Sequence, residues 1–189
     1  MRILVASTNP NKFEGTRRAF AEFPKVFIST SITTGVNKDL PMLISEESER
    51  LGALVISKHV VFAGHNQELR EKYMQEASQH YFGVDVPEFN SPEFELFVYR
   101  INTTLIDEAT HIFVILDKTS FGVAMELEHA LTRPARGLPE AKILGLIHKD
   151  ALPKLSKMVT GAARKYKNFV IRTYVDMDDI KKLVKEFLG

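Results

Sequence analysis

The chain has 189 residues, 44% hydrophobic and 26% charged, with Lys+Arg 25 against Asp+Glu 24 and a formal net charge of +1. That balance gives no electrostatic footing for nucleic acid or for an anionic membrane, so any phosphate must be met by local groups. Cysteine is absent, which excludes disulfides, thiolate chemistry and Cys-ligated zinc and suits a cytoplasmic protein.

The length fits one domain with a proper core, taken here as residues 1–189. No apolar stretch approaches membrane-spanning length, and the N-terminal apolar run is too short for a signal-peptide core. In chain order, residues 3–6 read as a first strand. Asn9-Pro10 then supplies a helix cap and a proline at the first helical position. Residues 25–30 read as a second strand and 31–43 as a polar loop. A helix is expected from Ser45, with Leu51, Leu54 and Val55 on its apolar side. Residues 60–63 read as another strand, ending at Gly64-His65-Asn66, where Asn66 can cap a charged helix reaching about His80. Ser91-Pro92 restarts a helix with Phe94, Phe97, Val98, Ile101 and Leu105 on one side. Strands follow over 112–116, 142–147 and 169–174, separated by helices from about Phe121 and over about 152–165. Asp176 opens the last helix, whose stripe is Met177, Ile180, Leu183, Val184 and Phe187.

Alternation of this kind predicts an α/β, Rossmann-like three-layer sandwich: a mainly parallel sheet of five to six strands with helices on both faces. One β/α unit in the N-terminal half is then extra. The most informative segment is 111–131, HIFVILDKTSFGVAMELEHAL. A strand runs into a polar turn, and Glu126 sits about one turn inside the next helix, on a face shared with Gly122. A carboxylate just beyond a strand's C-terminal end is placed where open α/β sheets bind ligands.

The segment Ser120-Phe-Gly-Val-Ala-Met-Glu126-Leu resembles the nucleophile motif of the nucleoside 2-deoxyribosyltransferase superfamily. The closer likeness is to its 2'-deoxynucleoside 5'-phosphate N-hydrolase branch, where Gly-x-x-x-Glu-Leu follows a strand and a polar turn. Gly122 and Glu126-Leu127 fall on that pattern, and Ser120 on the serine before it. Downstream, Leu155-Ser156-Lys157-Met158-Val159-Thr160-Gly161-Ala162 is similar to the branch's Leu-Ser-x-Met-x-x-Gly-Ala. The resemblance implies that Glu126 is a nucleophile and that Ser156 reaches a substrate phosphate across a homodimer interface. It implies a nucleoside or nucleotide as the small-molecule ligand, with no metal ion and no organic cofactor.

Two segments compete for the sugar and phosphate loop: Ser7-Thr8-Asn9 after the first strand, and Gly64-His65 after the strand at 60–63. Neither strand carries the branch's tyrosine. Its early-helix aspartate aligns with about Thr103, next to Asn102, and the glycine after Glu-Leu is Glu128. The base needs a proton as it leaves, and Asp117, His129 and His65 are the candidates. Ser7 to Lys12 also resembles the phosphate loop of house-cleaning nucleoside triphosphate pyrophosphatases. None of the six histidines pairs in a recognised metal-binding spacing. Three readings follow: an N-glycosidase or deoxyribosyltransferase, a non-catalytic nucleotide-binding protein of the same fold, and a triphosphate pyrophosphatase.

Overall fold

A computed structural model describes residues 23–31, 38–89, 91–118 and 120–189. Among the described residues five strands form one parallel sheet: β1 (Lys25–Ser29), β2 (Leu54–Val55), β3 (His111–Ile115), β4 (Lys142–His148) and β5 (Phe169–Tyr174), in the order β2-β1-β3-β4-β5. The sequence Val-Phe-Ile-Ser of β1 and all of β3 are buried, as strands covered on both faces must be. Alternate residues serve opposite faces. Phe27, Ile112, Val114 and Ile143 pack into one apolar cluster, and Val26, Ile28, Phe113 and Leu144 into the other.

Helices α1 (Asp39–Arg50) and α7 (Met177–Leu188) cover the second face, through Leu40, Ile44, Ile180 and Val184, together with Val61 of the short α2 (Lys58–Val61). The first face carries α3 (Gln67–Phe82), α4 (Pro92–Glu108), α5 (Phe121–Leu131) and α6 (Lys157–Lys165). The result is the three-layer α/β sandwich that the alternation predicts. Caps read from the sequence are in place: the side chains of Asn66, Ser91, Ser120 and Asp176 accept from backbone N–H groups of α3, α4, α5 and α7. None of the helices described is long and apolar enough to cross a membrane.

The differences gather in the first half. Residues 60–63 are not a strand: they are the end of α2 and the turn after it. Helix α1 starts at Asp39 rather than Ser45, and Leu54-Val55 is a strand rather than its tail. Helix α6 begins at Lys157, with a separate helical turn at Leu152–Lys154. The strand expected over residues 3–6 lies outside the described residues.

Candidate active site

The strand order places a reversal of winding between β1 and β3. From β1 the chain passes to β2 on one side, and from β3 to β4 on the other. Open α/β sheets form their ligand crevice at this point, beyond the strands' carboxyl ends. Ser29 is the last residue of β1 and is fully buried. Its register partner on β3 is Val114, and α5 starts six residues after β3 ends. Glu126, in the second turn of α5, therefore comes to lie over the end of β1.

Both carboxylate oxygens are held. Ser29 Oγ donates to Oε2 at 2.5 Å, and Asn102 Nδ2 of α4 donates to Oε1 at 2.9 Å. Asn102 is held in turn, its Oδ1 lying 2.9 Å from His59 Nε2 of α2. A line of hydrogen bonds thus runs His59–Asn102–Glu126–Ser29, across four elements. Glu126 and Asn102 also border a cleft of about 500 Å³ between α4 and α5, whose wall includes Tyr99, Thr103, Gly122 and Met125. A second cleft of similar volume lies over α3, beside Arg70, Met74, Phe89 and Phe94. Its lining lies on α3, the segment after it and the start of α4, away from the β1/β3 crevice, whereas the first cleft is bordered by the doubly hydrogen-bonded Glu126 and is the candidate site.

Burial raises the Glu126 carboxyl to about 7, well above the usual carboxylate range; the bonds from Ser29 and Asn102 pull it partly back. Glu126 is half-buried as a residue, which leaves it access to the cleft, while the protein around its carboxyl makes desolvation the dominant effect. Burial lowers His59 to about 4, with Arg70 adding to the drop and the bond to Asn102 opposing it. At neutral pH the site therefore holds a neutral imidazole and a carboxyl that readily changes protonation state. That combination suits a group that must be ionised to attack and can later accept a proton.

The sequence-derived residues divide. Glu126 and Gly122 share the cleft. Ser120 caps α5, its Oγ 3.4 Å from Val123 N. Ser156 caps α6, accepting from Met158 N at 3.2 Å, and is exposed. Asp117 is no part of the cleft wall: it accepts from His148 N at 2.6 Å and from the Tyr174 hydroxyl, bracing β3 to β4 and β5. Burial, with that bond and the Asp117 charge adding to it, pushes the Tyr174 phenol upward. Gly64 and His65 are also placed elsewhere. Gly64 has φ of 82°, a left-handed backbone that glycine adopts without strain. Its carbonyl accepts from Lys38 Nζ at 2.9 Å, and His65 Nε2 lies 2.6 Å from Lys38 O. These contacts tie the turn after α2 to the start of α1. Ser7 and Asn9 lie outside the described residues. Of the proton donors considered, His129 lies 3.1 Å from Asp107 Oδ1 and, like Asp117 and His65, has no described bond to Glu126.

Three residues escape a reading by motif: Ser29, Asn102 and His59. Asn102 left a trace. It follows Val98 by four residues and precedes Leu105 and Ile106, so it is a polar break in an apolar helix face. Thr103, the aligned position, spends its hydroxyl on the carbonyls of Tyr99 and Arg100. The position facing the nucleophile is Asn102.

By sequence, neither a family model nor a curated protein matches the chain. By structure, it is similar to the Clostridium botulinum CMP N-glycosidase BcmB. The TM-score is 0.55 and the identity 14%, covering 87% of this chain and 99% of that one. A likeness at that identity establishes a shared fold.

Proposed function

We propose that this protein is an N-glycosidase that cleaves the base–sugar bond of a nucleoside or nucleoside 5'-monophosphate, with Glu126 as nucleophile. The observation that carries the reading is Glu126 itself, gripped on both oxygens at the β1/β3 crevice and bordering an open cleft. The nucleotide glycosidase named above, which shares the fold, supports it.

In this mechanism the ionised Glu126 attacks C1' through an oxocarbenium-like transition state, and the base leaves with the bonding electrons. A glycosyl ester forms on Glu126. Water then attacks C1', the ester bond breaks, the carboxylate returns, and the proton that the water gives up balances the one taken up by the departed base. Transfer to a second base in place of water would make the protein a deoxyribosyltransferase. Ser29 and Asn102 hold the carboxylate aimed at C1', an entropic contribution as well as an electrostatic one. The first turn of α5, at Phe121 and Gly122, offers backbone N–H groups to a sugar hydroxyl or phosphate. Ser156 contributes from the partner protomer of a homodimer, so a strictly monomeric active enzyme would remove that role.

Incubation with ribo- and deoxyribonucleoside monophosphates should release free base, and Glu126→Ala should abolish the release. Release that survives the substitution would sink the nucleophile. A second reading has one observation in its favour. Neither Thr103, about where the resemblance expects an aspartate, nor Asn102 beside it can donate a proton as an acid, which fits a protein that binds nucleotides without cleaving them. Tight nucleotide binding with no turnover would select it.

A further inference from the structure

Glu126 is gripped by two groups that do not titrate, and one of them has a defined facing only because of a third residue. The primary amide of Asn102 has two ends, and either could face the carboxylate. A bare oxygen facing an ionised carboxylate is repulsive, whereas an NH2 group is a good donor to it. What fixes the choice is the group at the far end. His59 Nε2 lies 2.9 Å from Asn102 Oδ1, and His59, on α2, is buried.

We propose that His59 is a positioning residue: as its Nε2–H tautomer it donates to Asn102 Oδ1 and thereby turns the Asn102 NH2 group onto the Glu126 carboxylate. The inference rests on the reading of Glu126 as nucleophile and adds the device that keeps the nucleophile oriented. The other ring nitrogen supports the tautomer. Nδ1 is buried with no hydrogen-bond partner among the described residues. An Nδ1–H there would be an orphaned donor, the costlier kind of unmet group, whereas a bare nitrogen lone pair in that place costs less. The opposite tautomer would also require the reversed amide, with its oxygen towards Glu126, and that arrangement tolerates only a protonated carboxyl. The tautomer of His59 and the ionisation of Glu126 are therefore coupled through one amide.

The surroundings leave few competing charges. Arg70 of α3 is the cation whose field reaches His59. Lys58, next to His59, is paired with Glu49 of α1 at 2.5 Å. The groups bonded to Glu126 are neutral.

Two measurements test this without needing turnover. Long-range nitrogen–proton NMR of histidine-labelled wild-type protein at pH 8 should show His59 protonated at Nε2; protonation at Nδ1 overturns the proposal. The Glu126 titration, followed by carboxyl-carbon NMR, should move up by about one pH unit in His59→Leu, where the amide is free to turn. His59→Gln, which keeps a donor near the Nε2 position, should bring it most of the way back. A folded His59→Leu protein with an unmoved Glu126 midpoint also overturns the proposal, and if that variant does not fold, the wild-type tautomer still decides. Where base release can be followed, the acidic limb of kcat/KM should move with the Glu126 midpoint. A correct tautomer and shift in a protein that releases no base would support the positioning role and count against the nucleophile.

Discussion

Asp117 and Glu126 are nine residues apart and sit at the same edge of the sheet, on opposite sides of β3, yet they do different work. Asp117 accepts from the backbone of His148 and from Tyr174. Those partners end β4 and β5, strands that follow β3 in sequence and in space. No crevice opens where winding continues in one direction, and the carboxylate there is used up as a brace. Glu126 accepts from Ser29 and Asn102, on the other side, where winding reverses and the sheet leaves a gap. Two carboxylates in one loop-and-helix segment thus have different partners and surroundings according to the side of the strand they face. Sequence spacing cannot separate them.

The largest effect that can break this comparison is on turnover. Glu126→Gln keeps the shape, its oxygen still accepting from Asn102 and its NH2 donating to the Ser29 hydroxyl in a reversed bond, but an amide does not attack C1'. Base release should fall at least about a thousandfold, since the nucleophilic route is removed outright. Asp117→Asn should leave turnover within a few-fold. Steady-state assays of the two variants side by side check this, and equal losses would erase the distinction between the two sides of β3.

A second effect concerns stability against pH, where the two buried groups of the site act with opposite signs. Glu126 is raised to about 7. Below the ordinary carboxylate range both folded and unfolded chains are protonated, and there is no penalty. As pH rises toward 7 the unfolded chain ionises first, so stability falls, and above 7 the loss is complete. At about 1.4 kcal/mol per pH unit of separation this amounts to up to about 3 kcal/mol. His59 is lowered to about 4. The unfolded chain takes up a proton there before the folded one does, so its contribution is present above the ordinary histidine value and is lost as pH falls toward 4. The two slopes nearly cancel between about pH 4.5 and 6.5. Denaturant melts should show Glu126→Gln gaining on wild type from almost nothing near pH 4 to about 3 kcal/mol at pH 8. A difference independent of pH would mean that burial does not control Glu126.

The layering was legible because its signals are local. Strands β3, β4 and β5 are apolar runs bounded by turns, and the caps at Asn66, Ser91, Ser120 and Asp176 announce their helices. The first half gave weaker signals. Helix α1 has no side-chain cap, since Lys38 makes no capping bond. A short run such as Val60-Val61-Phe62-Ala63 cannot be told from a buried helix end by periodicity. At the site, Glu126 and Gly122 were readable from one motif on one helix. Ser29, His59 and Asn102 were not, because they belong to three other elements and only the strand order assembles them. The motif is silent on what its neighbours do in the fold: Ser120 caps α5, and Asp117, just before the motif, ties β3 to β4 and β5.

A third effect falls on the Asp117 side of β3. Asp117→Ala leaves two donors, His148 N and the Tyr174 hydroxyl, without their acceptor. Hydrogen bonds to charged groups contribute about 1.5–3 kcal/mol each, and solvent near the half-buried Asp117 offsets part of the loss, so the net destabilisation should be about 2 kcal/mol. The Tyr174 phenol should also drop back toward its ordinary range, since Asp117 contributes to holding it up. A spectrophotometric phenol titration checks the second effect independently of the first.

The smallest effect sharpens the reading of Ser120. As a pure cap it accepts from Val123 N at the long distance of 3.4 Å, and Ser120→Ala should cost about 1 kcal/mol or less, with KM unchanged. If the same hydroxyl also meets the ligand, as the resemblance implies, KM should rise while the stability loss stays the same. Ser120→Asp separates the two roles. A carboxylate caps the α5 N-terminus at least as well as a hydroxyl and is favoured by the helix dipole, so stability should hold. The same charge would repel a substrate phosphate at the first turn. Retained stability with weakened nucleotide binding would place the phosphate at α5. Unchanged binding would leave Ser120 as the end of a helix and nothing more, with the phosphate met elsewhere along the cleft.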